Sequence, residues 1–266
     1  MSDTSRDVAE PDRPNEVVRS EFDRGIATIT LDSPANRNAL SQHLLDELAR
    51  HLAAAKTDNA VRGVVLTGTG STFCSGADLK AGTVPGTAGT TLPDLMTELW
   101  TFPKVVIAKL NGHVRAGGTG LVAAADIVVA SRTATFAFSE VRIGVSPAII
   151  SVLCARRMNP RALSRFCLLG DTFDADQAVA SGLATLAVDP GDLDRATEEI
   201  LAGIRMAEPN AVRITKDLLR EVGDEDIERA FARMETLSRE MFASETAQEG
   251  MLAFREKRLP RWADAH

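Results

Sequence analysis

Three features of the sequence predict an α/β fold. Short apolar segments of strand length alternate with segments of helical period through roughly the first half of the chain. The connections between them are small and rich in glycine and serine. From about Gly191 strand signals stop and helical periodicity runs to the end. The expected organisation is a disordered tail over residues 1–15, an α/β core over 16–190 and a helical C-terminal subdomain over 191–266.

The elements follow in order. Val17 to Asp32 reads as two short strands around a turn at Asp23-Arg24-Gly25. In the second strand Ala27, Ile29 and Leu31 share one face, and Ile26, Thr28 and Thr30 share the other. Ser41 is placed to cap a helix carrying Leu44, Leu45, Leu48 and Leu52 at helical spacing. Gly63 to Gly68 is a short buried strand bounded by glycines. Residues 81–93, rich in Gly, Pro and Thr, read as a mobile excursion before a helix around Leu95 to Phe102. Val105 to Leu110 is a strand, an Ala-rich helix reaches about Ala125, and Ile127 to Ala130 is another strand. In the helical tail, pairs such as Glu235/Arg239 mark solvated or interfacial faces.

Composition narrows the function classes. With 266 residues, 44% hydrophobic and 25% charged, the chain can bury one substantial core. No apolar run approaches the roughly 20 residues that cross a bilayer, and Met1 to Asn15 has no apolar segment of a secretory signal. Three scattered cysteines, Cys74, Cys154 and Cys167, build neither a disulfide framework nor a zinc site, which predicts a reducing, cytoplasmic location and no metal. A net charge of −7 argues against nucleic acid as the main partner.

Two small-residue loops carry the chemical signal. The first is Ser75-Gly76-Ala77-Asp78, and the second is Arg115-Ala116-Gly117-Gly118-Thr119-Gly120, which opens a helix. Small residues let backbone approach a ligand, and free N–H groups at a helix start favour negative charge. Such a pair can aim one N–H each at a single oxygen and stabilise an oxyanion, although glycine turns before helices also serve tight packing.

The order of several motifs resembles the enoyl-CoA hydratase/isomerase, or crotonase, superfamily. They are Asn38-Ala39-Leu40, Phe73 to Lys80, Lys109 to Gly112, Ala116-Gly117-Gly118, Asp126-Ile127, Phe136 to Glu140 and Glu249 to Arg258. The resemblance spans about residues 17 to 262. It implies a crotonase-like superhelix of β-β-α turns with C-terminal helices that build a homotrimer, often paired into hexamers. It also implies that the Ala77 and Gly117 amides hold a thioester carbonyl and that Glu140 moves protons. Asn38, Ala39, Leu40, Asp78, Leu79, Lys80, Gly118 and Gly120 are implied to border the acyl-CoA. Phe254 and Lys257 are implied to reach a neighbouring subunit's CoA, and Arg37, Lys80 and Lys257 are either phosphate ligands or ordinary surface cations. Coenzyme A belongs to the substrate, and no further cofactor, nucleic acid or membrane is expected.

One departure from the family pattern stands out. Two-carboxylate hydratases of this family carry a glutamate in the helix after the glycine run; here that position is Gly120, and only Glu140 remains. One carboxylate still suffices for hydration of a 2-enoyl-CoA or for moving a double bond. The stretches around Gly120 and Glu140 are similar to a bacterial hydratase subgroup acting on branched or glutaconyl-type CoA esters. That similarity suggests a substrate carboxylate in the space at Gly120, paired with Arg142 or Arg115, against the plainer reading of both arginines as structural. Cys74, His113 and Asp126 are read as structural residues rather than catalytic ones.

Overall fold

The computed structural model describes residues 16–78, 89–224 and 226–263. The expected tail over 1–15 and most of the excursion over 81–93 lie outside the described residues. Strands β1 (Val18–Asp23) and β2 (Ile26–Leu31) form the antiparallel hairpin that the alternation predicts. Strands β3 (Gly63–Gly68), β5 (Val105–Leu110), β7 (Ile127–Ser131) and β10 (Leu186–Val188) continue from β2 in parallel, in the order β1-β2-β3-β5-β7-β10.

The two faces of this sheet are both covered, as a mostly parallel sheet requires. Ala27, Ile29 and Leu31 join the main core, which includes Leu44, Leu45, Leu48 and Leu52 of α1 (Gln42–Thr57). Ile26, on the opposite face of the same strand, packs with Val65, Ile107 and Val129 against Leu201 and Ile204 of α7 (Leu193–Met206). The period-2 pattern of one hairpin strand thus records two separate layers.

A second sheet went unseen in the sequence. It has four short strands, β4 (Thr72–Cys74), β6 (His113–Arg115), β8 (Thr135–Ala137) and β9 (Phe173–Asp174), in the order β4-β6-β8-β9. The first three run parallel and the last antiparallel. This small sheet positions the site, because both glycine loops and Glu140 leave from its strands.

The helices end and begin for local reasons. Ser41 caps α1 by accepting from the Leu44 N–H at 3.2 Å. Helix α2 (Leu92–Trp100) starts earlier than the sequence suggests, because Thr91 and Asp94 make a reciprocal capping box and Pro93 sits in its first turn. Helix α3 (Gly117–Ala124) is wholly buried. The Arg157 guanidinium donates to the Ala123 and Ala125 carbonyls at its C-terminal end and lies 4.4 Å from the Trp100 ring centre. Arg157 therefore ties α2 and α3 to α4 (Ala148–Arg157).

Helices α5 (Pro160–Leu169) and α6 (Ala175–Ala180) follow, and α8 (Pro209–Glu221), α9 (Ile227–Ala243) and α10 (Glu245–Glu256) close the chain. Helix α8 is anchored by buried Lys216, whose Nζ donates to the Lys104 carbonyl and to Asp126 Oδ2. Asp126 also accepts from the Val106 N–H at 2.8 Å, which confirms its structural role. Glu235 and Arg239 form an exposed pair at 3.9 Å. Among the described residues no helix is long and apolar enough to cross a membrane.

Candidate active site

The two glycine loops meet. Leu40 N–H donates to the Gly76 carbonyl at 2.8 Å, and Ser75 N–H donates to the Arg37 carbonyl at 3.1 Å, so residues 37–40 brace the first loop. Asn38 is fully buried behind it, accepting from the Ser33 N–H and donating to the Thr69 and Thr72 carbonyls. Its side chain is spent on the backbone, so Asn38 positions the loop and does not face the cavity. Ala39 is likewise buried.

Close approach explains the glycines. A methyl group on Gly76 would lie 2.9 Å from Ala116 Cβ and 3.7 Å from the Gly117 nitrogen. One on Gly118 would lie 2.8 Å from Cys74 Cβ, locking the helix start onto β4. Ala116, the N-cap of α3, holds φ at +45°, a conformation that costs an alanine about 1–3 kcal/mol. That turn points the chain into α3 with the Gly117 N–H at its open end, and Thr119 Oγ1 satisfies the Ala116 carbonyl at 2.6 Å. Among the described residues neither the Ala77 nor the Gly117 amide has a protein acceptor.

Ala77, Gly117 and Glu140 line one cavity of about 310 Å³. Glu140 enters it from a 3-10 helix, Ser139–Ile143, that follows β8. A cluster of rings holds this segment. Phe136, Phe138 and Phe166 all stack on Phe173, the last with centroids 3.8 Å apart. Burial raises the Glu140 carboxyl above the ordinary glutamate value, and its Oε2 is buried with no hydrogen-bond partner. A raised carboxyl beside two free amides can take and return a proton while an oxyanion is held.

Residues the sequence did not single out complete the wall. Leu45, Leu92, Ile143, Val145, Ile149 and Ile150 make it largely apolar. Among the described residues Ser75, Ser139 and Ser146 supply its hydroxyls. The Ser75 hydroxyl donates to the Asn36 carbonyl at 3.3 Å, whereas among the described residues those of Ser139 and Ser146 have no protein partner. Only the short spacing of Ser139 and Ser146 from Glu140 could have pointed to them.

Other expectations resolve differently. Leu40 lines the cavity, but Gly118, Gly120 and Asp78 are not among its walls. Leu79 and Lys80 lie outside the described residues. Phe254 is 85% exposed on α10 and borders a separate surface hollow, and Lys257 ends that helix in a left-handed turn. In a single chain neither reaches the cavity walls. Cys74 is a packing residue, with burial pushing its thiol up to about 12. His113 Nδ1 lies 3.0 Å from the Thr135 hydroxyl, in keeping with a structural role.

The sequence suggests a substrate carboxylate in the space at Gly120; in this structure apolar side chains lie there. A methyl group there would lie 2.7 Å from Ile150 Cγ2 and 2.9 Å from Met96 Sδ, so two apolar side chains already fill the space. Neither arginine lines the cavity. Arg115 is engaged with the Val114 and Thr135 carbonyls and the Thr135 hydroxyl, and Arg142 donates to the Leu169 carbonyl.

Comparison with known proteins agrees with this architecture. A family model described as enoyl-CoA hydratase/isomerase matches residues 21–265. The chain is 33% identical over 252 residues to the 2,3-dehydroadipyl-CoA hydratase of Escherichia coli, covering 92% of this chain and 98% of that one. It is 34% identical over 251 residues to the mevalonyl-coenzyme A hydratase of Aspergillus fumigatus, covering 89% and 91%. The crystal structure of an enoyl-CoA hydratase from Mycobacterium smegmatis superposes with a TM-score of 0.85 at 32% identity, covering 93% of this chain and 99% of that one. This chain belongs to the enoyl-CoA hydratase/isomerase family and has the crotonase fold.

Proposed function

We propose that the protein is an enoyl-CoA hydratase-type lyase that adds water across the 2,3 double bond of a 2-enoyl-CoA thioester with a single carboxylate. The observation that carries this reading is the convergence of the Ala77 amide, the Gly117 amide and the raised Glu140 carboxyl on one cavity. The amides hold the thioester oxygen as negative charge develops on it. Ionised Glu140 takes a proton from water as the oxygen attacks Cβ, and the protonated carboxyl then gives a proton to Cα. The hydroxyls of Ser139 and Ser146, on the wall of the same cavity, are assigned to hold that water. Relatives named as hydratases of CoA esters support the same reaction class.

The reaction requires no cofactor beyond the coenzyme A that the substrate carries. Exposed Phe231, Phe242 and Phe254 on α9 and α10 support a self-associated state, a homotrimer or a dimer of trimers.

A second reading has its own observation. Apolar atoms of Met96 and Ile150 lie 2.9 and 2.7 Å from where a side chain on Gly120 would begin, the position of a second water-holding carboxylate, which favours an isomerase that passes a proton between C2 and C4 through Glu140. Mass spectrometry of products separates the two. A 2-enoyl-CoA that gains the mass of water faster than a 3-enoyl-CoA rearranges supports the hydratase; the reverse order supports the isomerase.

A further inference from the structure

Helices α2, α3 and α4 converge at both ends. Leu92 and Gly117, the first residues of α2 and α3, line the Glu140 cavity, as does the first turn of α4 from Ala148 to Ile150. At the far ends, Trp100 is the last residue of α2 and Arg157 is the last of α4. The Arg157 guanidinium lies over the Trp100 ring. Its Nε and Nη2 donate to the Ala123 and Ala125 carbonyls, at 3.2 and 3.1 Å, where α3 ends. One planar cation thus joins three helices at the end opposite the site.

Helix α3 requires such a partner because its end is buried. Ala123 and Ala125 are 1% and 3% exposed, and a helix has no N–H groups of its own for its last carbonyls. At its start α3 is held against β4 at Gly118, where a methyl would meet Cys74 Cβ at 2.8 Å. A hold at one end alone leaves a helix able to pivot. A second hold about 12 Å away, the rise of its eight residues, fixes the direction of the axis. The N–H groups at a helix start point roughly along that axis. A hydrogen bond weakens steeply once its angle falls below about 120°. The aim of the Gly117 amide is therefore set from both ends of α3.

We propose that Arg157 is a positioning residue for the oxyanion hole, holding the Gly117 amide on the thioester oxygen through α3. Arg157 is not among the walls of the Glu140 cavity, so it acts on the reaction through the helix and not by touching substrate. The guanidinium plane matters as well as the charge. A lysine ammonium has no fixed fork for two carbonyls and no flat face for an indole. This inference rests on the acyl-CoA reading of the Glu140 cavity.

Infrared spectroscopy of bound butyryl-CoA carrying carbon-13 at the thioester carbonyl tests it, because the carbonyl stretch reports how strongly the two amides polarise that bond. In wild type the stretch should move to lower frequency on binding. In Arg157→Met and Arg157→Lys the band should move less and broaden. Removing one oxyanion donor outright lowers kcat by about 100- to 1,000-fold, so a misaimed one should lower hydration of a 2-enoyl-CoA by about tenfold. Affinity for butyryl-CoA should stay within about twofold, since the loss falls on the transition state. Arg157→Lys keeps the charge and carries the test if Arg157→Met does not fold. Ile204→Ala, a cavity in the layer on the other face of the large sheet, controls for lost stability and should keep the full shift. A wild-type shift and kcat in a folded Arg157 variant would overturn the proposal alone, as would an equal loss of shift in Ile204→Ala. Absence of binding or of any shift in wild type would overturn it together with the acyl-CoA reading.

Discussion

Gly120 and Met96 are complementary: the hydrogen on Gly120 leaves the room that the Met96 thioether uses, and a methyl there would lie 2.9 Å from Met96 Sδ. The first carboxylate of the two-glutamate pattern is therefore not simply absent. Its space has been taken by an apolar pair from α2 and α4.

Restoring the carboxylate by Gly120→Glu should fail in the wild-type background. Overpacking of this kind costs about 1–3 kcal/mol. Gly120→Glu combined with Met96→Ala should recover part of that loss, with a coupling of about 1 kcal/mol in a urea-denaturation double-mutant cycle. Additive effects would show that the two side chains do not share the space.

Ala116 is held at φ +45° where glycine is unstrained. Ala116→Gly should raise stability in urea by about 1 kcal/mol, relieving part of the strain at the helix start. A fall in stability would show that packing of the Ala116 methyl against Gly76 outweighs it.

The pH dependence of Glu140 has a definite sign. Burial raises its folded value above the 4.5 of a free glutamate, so the folded protein keeps a proton that the unfolded chain has already lost. Stability from the protonated form is complete below 4.5 and is lost as pH rises through the folded value. Glu140→Gln has no such loss, so its stability advantage over wild type should grow as pH rises across that window. Thermal denaturation of both proteins over a pH series checks this; a gap independent of pH would contradict it.

Lys216 carries an interaction unrelated to the chemistry. Its ammonium and Asp126 form a largely buried pair at 2.5 Å that joins α8 to the start of β7. Lys216→Met strands the Asp126 charge and should destabilise the protein by about 3 kcal/mol. Turnover per folded molecule should be unchanged, since neither residue lines the Glu140 cavity. A loss of turnover without a loss of stability would reverse that assignment.

Much of the architecture is readable from particular residues. Ala27, Ile29 and Leu31 against Ile26 announce a strand buried on both faces, and Ser41 with the leucines after it announces α1. The glycine loops and Glu140 stand out because backbone approach to a ligand demands small residues. The second sheet does not, because strands of two or three residues are too short to show a period. Asn38 was legible as important but not as what it is, since a buried amide clamping three backbone groups resembles a ligand contact in sequence. Met96 was invisible: it lies in a different helix from Gly120, and only the fold brings its thioether there.

The central claim is that one carboxylate, Glu140, moves the protons. The most direct measurement is the hydration rate of a 2-enoyl-CoA by wild type and Glu140→Gln, read as loss of the conjugated thioester absorbance and confirmed by product mass. The account predicts that kcat falls by at least about 100-fold while the variant remains folded. Unchanged turnover in the folded variant would contradict it.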